Sequence, residues 1–342
     1  MIFEKHPLAE LKDLAVLGQS TYSIGEIVFE DYLYWEYLQN PIGKAIVYVA
    51  KKDNIVVAQY VILPKNILVD DKVVSVNLSV NTITHPDYRG HGLFPKLAEL
   101  AYDDCLKSNQ NYTIGFPNSN STKGFLDKLK FADVGKLPLL LNVKNPLFAL
   151  YVFLMRRRVK GETEIDLNFI TEDSSLSNLD FERDKTQYSS FWLNFKKRNV
   201  ITTDRSMEYL KWRYGDVPFR KYRVLKFVSN NEIKAIIVLR AKKIFGIRCG
   251  IIVDFLCSTK NEHLLDPIFG IFKRNKLALI IATCSRNSLE YQCLRRAGFF
   301  KVPGWLMFKK LTFIIRDHLK NSSNNLIDFK KWFITFGDYD IF

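Results

Sequence analysis

Cysteine pairs, metal-binding clusters and long apolar runs are all missing from this sequence. The five cysteines, an odd number, form no CxxC pair, which is typical of free thiols in a reducing cytoplasm. They are Cys105, Cys249, Cys257, Cys284 and Cys293. The five histidines are scattered and form no cluster with metal-ligand spacing, so we expect no metal ion.

No segment is apolar for long enough to cross a membrane. The longest apolar run, Pro146 to Met155, has ten residues, whereas a spanning helix needs about 20. Arg156 to Arg158 follow it, so the run could either make weak peripheral contact with a membrane surface or form a buried helix between domains. Because the N-terminus lacks the basic-then-apolar layout of a signal peptide, we expect a cytoplasmic protein.

Positive charge is confined to one half of the chain. Residues 1–150 hold 15 Lys+Arg against 16 Asp+Glu, and the remaining residues hold 35 against 20. A nucleic-acid groove would produce this asymmetry, as would a surface that attracts nucleotide phosphates or an ordinary solvated face. Sixteen Tyr and 26 Phe provide ample material for a core and argue against disorder.

The stretch from Val73 to Phe131 carries the most informative pattern. VVSVNLSVNTI predicts a strand, Arg89-Gly90-His91-Gly92-Leu93-Phe94 a glycine-spaced turn, and PKLAELAYDDCLK a helix with Pro95 in its first turn. Unpaired amides at such a helix start bind anions, so we expect a phosphate or pyrophosphate site. The dinucleotide motif GxGxxG and the P-loop motif GxxxxGK[ST] are both absent.

This strand, turn and helix resemble the pyrophosphate loop of the GNAT acyltransferase superfamily, whose pattern is Q/R-x-x-G-x-G/A. Arg89, Gly92 and Phe94 occupy its defined positions, and Phe94 departs from the small residue of the pattern. The resemblance implies acyl-CoA as cofactor, either acetyl-CoA or a short hydroxyacyl-CoA. The residues it implies for cofactor binding are Ile83, Arg89, Gly90, His91, Gly92, Leu93, Phe94, Asn118, Ser121 and Phe125.

The segment after the predicted helix continues the resemblance. YTIGFPN followed by NSNSTKGFLDKLKF is similar to the GNAT segment that runs along the CoA arm, with Asn118, Phe125 and Phe131 in matching positions. Leu126 stands where many members carry the tyrosine that protonates the leaving thiolate. That role is therefore vacant in this chain.

The pattern of the first half returns in the second half. Five residues recur 177 positions later, across a helix, a turn and a hairpin, which indicates a duplicated unit. The pairs are Trp35 and Trp212, Tyr37 and Tyr214, Pro41 and Pro218, Asn54 and Asn231, and Ala58 and Ala235. Phe131 matches Phe299 at an offset of 168, so the second copy has lost nine residues, and it lacks the Gly-x-Gly loop. We expect that copy not to hold pyrophosphate.

These observations predict an α/β (α+β) fold of two tandem GNAT-like units, each a mixed, mainly antiparallel sheet flanked by helices. Residues 1–150 form the unit with the cofactor loop, 151–180 a connector, and 181–342 the degenerate unit with an aromatic tail. In the first unit we expect helices over residues 1–43, hairpins turning at Asp53-Asn54 and Asp70-Asp71, and a further strand in LPLLLNV.

Acyl transfer to an amine requires polarisation of the thioester oxygen and a neutral amine. The resemblance implies that backbone N–H groups near Asn81, Thr82 and Ile83 serve the oxygen. Val73 to Thr84 contains no Asp or Glu that could act as base, and the nearby His85 is either catalytic or a turn residue before Pro86. In the tail, Asp338 and Asp340 either reach the acceptor or are surface carboxylates.

The missing base carries a prediction about the acceptor. Deprotonating a lysine-like amine of pKa about 10.4 at pH 7 costs roughly 4.6 kcal/mol, whereas an amine with a pKa near 8 costs only about 1.4 kcal/mol. We therefore expect a weakly basic acceptor.

Several strings resemble the GNAT-type sugar N-acyltransferases of surface-polysaccharide biosynthesis, such as O-antigen synthesis. They are Trp35 with Asn40-Pro41-x-Gly43, THPDYRGHGLF, GFPN and WFITFGDYD. This resemblance implies a dTDP- or UDP-linked amino sugar as acceptor, one active site in the first unit, and no nucleic-acid partner. It leaves the oligomeric state open.

Two other readings stay open. An aminoacyl-tRNA-dependent tandem transferase would explain the duplication and the basic half, but it would not need the loop from Arg89 to Gly92. A non-catalytic protein that binds CoA or sugar would fit the same motifs.

Overall fold

The computed structural model describes residues 1–22, 25–143, 162–169, 173–244, 246–307, 310–319 and 325–339. The strands, in chain order, are β1 Ile2–Lys5, β2 Ile46–Lys52, β3 Ile55–Val69, β4 Lys72–Thr84, β5 Tyr112–Gly115, β6 Ala132–Lys136, β7 Leu140–Val143, β8 Glu162–Ile165, β9 Leu176–Asn178, β10 Ile201–Thr203, β11 Arg223–Ser229, β12 Glu232–Ile244, β13 Ile247–Cys257, β14 Leu279–Ala282, β15 Phe300–Lys301, β16 Thr312–Asp317 and β17 Trp332–Phe333. The helices are α1 Leu11–Thr21, α2 Glu30–Leu38, α3 Leu93–Lys107, α4 Lys185–Arg198, α5 Met207–Leu210, α6 Asp266–Arg274 and α7 Leu289–Arg296. Gly124–Lys128 and Lys211–Gly215 are short π-helical segments.

The chain forms two compact units. The first comprises Met1–Lys136, Asp216–Phe219 and Leu311–Phe329, and the second comprises Leu137–Gly215, Arg220–Lys310 and Lys330–Phe342. The division at residues 150 and 180 that the sequence suggested stays a prediction, and residues 144–161 lie outside the described part.

The sheet of the first unit has the strand order β1-β2-β3-β4-β5-β16-β6. β4 and β5 are parallel, and the other neighbours in this order are antiparallel. Both predicted hairpins are confirmed, because Asp53, Asn54, Asp70 and Asp71 have the positive φ of tight two-residue turns, between 48° and 65°. Apolar residues of α3 pack on this sheet and form the core of the unit.

The sheet of the second unit has the order β15-β7-β14-β13-β12-β11-β9, with β13 and β14 parallel. Read from β9, it matches the first sheet strand for strand. Each unit, however, takes the strand beside its last one from the other half of the sequence: β7 lies in the second sheet and β16 in the first. The predicted fold of two mixed, mainly antiparallel sheets flanked by helices is confirmed, and the exchange of β7 and β16 was not part of that prediction.

The duplication is visible in the strand bounds. β2 and β3 are followed 177 residues later by β11 and β12, and β5 is followed 167 residues later by β14. The offset falls from 173 at the ends of β4 and β13 to 167 at β14, so six residues are lost across the loop and helix that follow those strands. This is where the sequence placed the loss of the anion loop.

One expectation about the first unit was wrong. Residues 1–43 are not all helical, because Ile2–Lys5 forms β1, which pairs antiparallel with β2 at the sheet edge. Four residues are too few to show the period of two that marks a strand. Among the described residues, no helix is long and apolar enough to cross a membrane.

Candidate functional site

The glycine-spaced loop lies where β4 leads into α3, as the sequence predicted. Gly90 and Gly92 have φ of 84° and 71°, a left-handed conformation that favours glycine, and Gly92 is the residue before the first turn of α3. A Cβ built at either glycine would meet no heavy atom within 4 Å. The space above both glycines is therefore open to a ligand.

The backbone amides of this loop are available. Arg89 N donates to Pro86 O at 3.3 Å and Lys96 N to Gly92 O at 3.4 Å, but the amides from Gly90 to Phe94 have no acceptor in the described part of the chain. The Arg89 side chain is exposed, and its Nε donates to Thr84 O at 3.3 Å. Free amides, the positive end of a 15-residue helix and a guanidinium together form an anion site.

Phe94 does not obstruct this site, although it replaces the small residue of the family pattern. Its ring lies 5.2 Å from the Phe125 ring and 6.0 Å from that of Tyr60, at the core of the first unit. Its main chain can thus face a phosphate while its side chain packs inward. Phe125 is itself buried beside Phe131, so its cofactor role stays a prediction from the resemblance.

Asn118 and Ser121 shape the turn that follows β5. Asn118 Oδ1 accepts from the amides of Asn120 at 2.9 Å and Ser121 at 3.1 Å, which caps the start of the next helical segment. Leu126 packs against the core of the first unit. The cofactor roles of Asn118 and Ser121 remain predictions.

Beside the loop, β4 and β5 separate. Their parallel pairing covers Asn77 to Ser79 and then ends, while β4 continues along β3 to Thr84. Amides alternate between the two edges of a strand, and His85 N donates to Val57 O of β3 at 2.9 Å. The amides of Thr82 and Thr84 therefore face the edge that β5 leaves, whereas the Ile83 amide faces β3.

A β-bulge interrupts β4 at the same place. Pairing with β3 shifts between Gln59 and Val61, and Asn81 in the bulge has a φ of 45°. Its Nδ2 donates to Glu36 Oε2 at 2.5 Å and to the Tyr37 hydroxyl at 3.0 Å, both from α2. Gln59 Nε2 donates to Asn81 O at 2.9 Å. Sequence reasoning missed Glu36 because it lies 45 residues from Asn81 on a helix that shows no catalytic motif.

His85 is placed as a turn residue. It precedes the 3-10 turn Pro86–Tyr88, and its Nδ1 accepts from Asp87 N at 3.4 Å. A catalytic role for His85 remains a prediction, for which this geometry offers no further support.

The second unit holds an ion cluster at the equivalent strand position. Asp254 lies 173 residues after Asn81, and the Tyr214 hydroxyl donates to it at 3.1 Å, as Tyr37 contacts Asn81. Arg205 Nε donates to Asp254 at 2.8 Å and its Nη2 to Asp338 at 2.9 Å. Burial lowers the pKa of Arg205, but these two carboxylates outweigh it and raise the pKa above its usual range.

Asp338 thus lies in the tail as predicted, but its carboxylate is engaged by the protein. Besides Arg205, it accepts from the Thr203 hydroxyl and from Thr335 N, and it is 2% exposed. An acceptor role for Asp338 stays a prediction that these contacts do not favour. Asp340 lies outside the described residues.

One group of side chains brings possible metal ligands together. His6, Glu10 and Asp13 each offer one atom, and these atoms lie within 4.8 Å of one another, with both carboxylates exposed. The expected absence of a metal therefore stays a prediction.

The comparisons agree with this geometry. Residues 16–129, which include the bulge, the loop and α3, match the family model of the acetyltransferase (GNAT) domain. No curated protein matches the chain.

Solved structures share the fold over most of the chain at low sequence identity. N-myristoyltransferase of Saccharomyces cerevisiae with bound myristoyl-CoA has a TM-score of 0.63 and 14% identity, over 92% of this chain and 82% of the other. A probable N-acyltransferase from Enterococcus faecalis V583 has a TM-score of 0.63 and 11% identity, over 93% and 73%. A GCN5-related N-acetyltransferase from Anabaena variabilis has 0.63 and 10%, over 93% and 72%. The GNAT-like fold is thereby confirmed, and the domain match supports an acyl-CoA-dependent N-acyltransferase.

Proposed function

We propose that this protein transfers an acyl group from acyl-CoA to the amine of a nucleotide-linked amino sugar, with a single donor site in the first unit. The observation that carries the proposal is the set of unpaired amides from Gly90 to Phe94 beside the open edge of β4. A diphosphate would bind these amides, and the acyl arm would extend along β4.

The reaction follows from the groups at this edge. The amine nitrogen attacks the thioester carbon, a C–N bond forms, and the C–S bond breaks to release the thiolate. The Thr82 amide is directed to donate to the carbonyl oxygen as negative charge develops on it. Because Leu126 cannot supply a proton, the thiolate takes one from solvent, and the attacking ammonium loses one.

The acceptor class is argued from proton chemistry and from the resemblance. β4 contains no carboxylate, and the contacts of Glu36 include the Asn81 amide group at 2.5 Å. An amine with a pKa near 8 already has a sizeable neutral fraction at pH 7, as a lysine does not. An amino sugar meets this requirement, and its nucleotide phosphates suit the basic second half.

Thiol release by the purified protein tests the proposal. Acetyl-CoA and a short hydroxyacyl-CoA are each supplied with dTDP- or UDP-linked amino sugars, a lysine peptide or a polyamine. We expect the amino sugars to react fastest. Faster acylation of the lysine peptide or polyamine would contradict the acceptor, and no thiol release with any amine would favour a non-catalytic binding protein.

A donor comparison separates the remaining alternative. If aminoacyl-tRNA supported transfer and acyl-CoA did not, the chain would be an aminoacyl-tRNA-dependent transferase.

A further inference from the structure

We propose that Glu36 is a positioning residue: its carboxylate holds Asn81 in the left-handed bulge and thereby directs the Thr82 amide at the thioester oxygen. This inference rests on the proposed function for its catalytic consequence. It rests on geometry alone for its structural part.

The first argument is the conformation of Asn81. Its φ of 45° is sparsely populated by residues other than glycine, so surrounding contacts must hold it. Its side chain donates to Glu36 Oε2 and to the Tyr37 hydroxyl, and its carbonyl accepts from Gln59 Nε2. These contacts fix both the side chain and the main chain of the bulge.

The second argument is the comparison between the two copies. Tyr37 and Tyr214 correspond, and each hydroxyl contacts the side chain at position 81 or its counterpart Asp254. Glu36, however, corresponds to Arg213, which donates to Tyr339 O instead. In the second unit the bulge falls one pair later, between Val238 and Leu239, and Asp254 does not have a positive φ. The left-handed bulge thus occurs in the copy that has Glu36 and Asn81.

The third argument concerns why Glu36 positions rather than removes protons. Its side chain is 3% exposed, and its oxygens accept from Asn81 at 2.5 Å and from the Tyr32 hydroxyl at 3.4 Å. Hydrogen bonds that stabilise the charged form make a carboxylate a weaker base. A group held in this way is suited to fixing geometry, which agrees with an acceptor that needs no strong base.

The experiment compares Glu36→Ala with Glu36→Gln, since glutamine retains an acceptor oxygen for Asn81. Hydrogen exchange of the β4 peptide around Thr82 is measured without any substrate. We expect faster exchange in Glu36→Ala and near wild-type exchange in Glu36→Gln. Glu290→Gln is the matched control, because it alters a buried carboxylate in the second unit and should leave this peptide unchanged.

The kinetic readout follows the same variants. Glu36→Ala should lower kcat by about 10- to 100-fold, somewhat less than the loss of an oxyanion donor, while KM for acyl-CoA changes by less than about threefold. Glu36→Gln should restore most of kcat and keep the pH–rate profile of the wild type.

Two results would overturn the inference. One is equal inactivity of Glu36→Gln and Glu36→Ala with loss of the acidic limb of the pH profile, which would make Glu36 the proton acceptor. The other is unchanged exchange around Thr82 in Glu36→Ala. If the wild type acylates no amine, the proposed function fails, but the exchange comparison still decides whether Glu36 holds the bulge.

Discussion

Replacing Gly92 with alanine tests the donor site at the point where a side chain matters most. A Cβ there would meet no protein atom within 4 Å, so the change creates no clash inside the protein. It does place an alanine at a φ of 71°, which costs roughly 1–2 kcal/mol of stability. The same Cβ would occupy the space through which a phosphate must approach the amides.

The expected loss of affinity follows from the bonds that this approach allows. A hydrogen bond to a charged group contributes about 1.5–3 kcal/mol, and we expect Gly92→Ala to weaken two of them. A combined loss of about 3 kcal/mol corresponds to roughly a 100-fold increase in the Kd for CoA. Calorimetric titration of CoA into wild type and variant measures it directly.

Gly298→Ala is the matched control for backbone strain. Gly298 has a φ of 86° in the second unit, and its Cβ would lie 3.4 Å from Asn142 Nδ2, so the strain is similar and the loop is untouched. We expect normal CoA binding in this variant. If Gly92→Ala bound CoA within about twofold of the wild type, the loop would not hold the diphosphate and the donor site would have to be sought elsewhere.

Three further predictions concern packing and charge. Phe94→Ala should cost about 2–3 kcal/mol in urea unfolding but change the Kd for CoA by less than about threefold, because the ring faces the core; lost binding with unchanged stability would contradict this. Arg205→Met should destabilise the protein by about 3–5 kcal/mol, since it leaves Asp254 and Asp338 buried without their cation, and a loss below about 1 kcal/mol would argue against a charged, dry cluster. Burial, together with Arg316, lowers the pKa of His318 to about 4, so the folded state disfavours its protonation. The stability that neutral His318 contributes is therefore complete above pH 6.5 and is lost as the pH falls toward 4, by at most about 3 kcal/mol, and thermal unfolding of His318→Gln across this range should show a shallower decline than the wild type.

The features that the sequence predicted well depend on local rules. Gly90 and Gly92 could be assigned to an anion loop because strand, glycine spacing and helix start occur together in the chain. Asp53 and Asn54 marked a hairpin because few other residues adopt positive φ. The duplication was detectable because Trp35 and its neighbours keep one register over 24 residues of the pattern, from 35 to 58.

The features that it did not predict depend on distant contacts. β7 and β16 are short apolar strands whose pattern is the same whichever sheet they join, so their exchange leaves no local signal. Asp338 was a candidate for the acceptor because a tail carboxylate beside aromatics gives no hint of Arg205, which lies 133 residues away. Glu36 escaped notice for the same reason.

The exchange of β7 and β16 has a consequence for biosynthesis. β16 lies between β5 and β6, so the first sheet stays incomplete until the ribosome has reached Asp317. At about 5–20 residues per second, the 181 residues between Lys136 and Asp317 take roughly 10–35 s to synthesise. During that interval the nascent chain exposes the unpaired edges of β5 and β6, where a chaperone or a second nascent chain could pair with them.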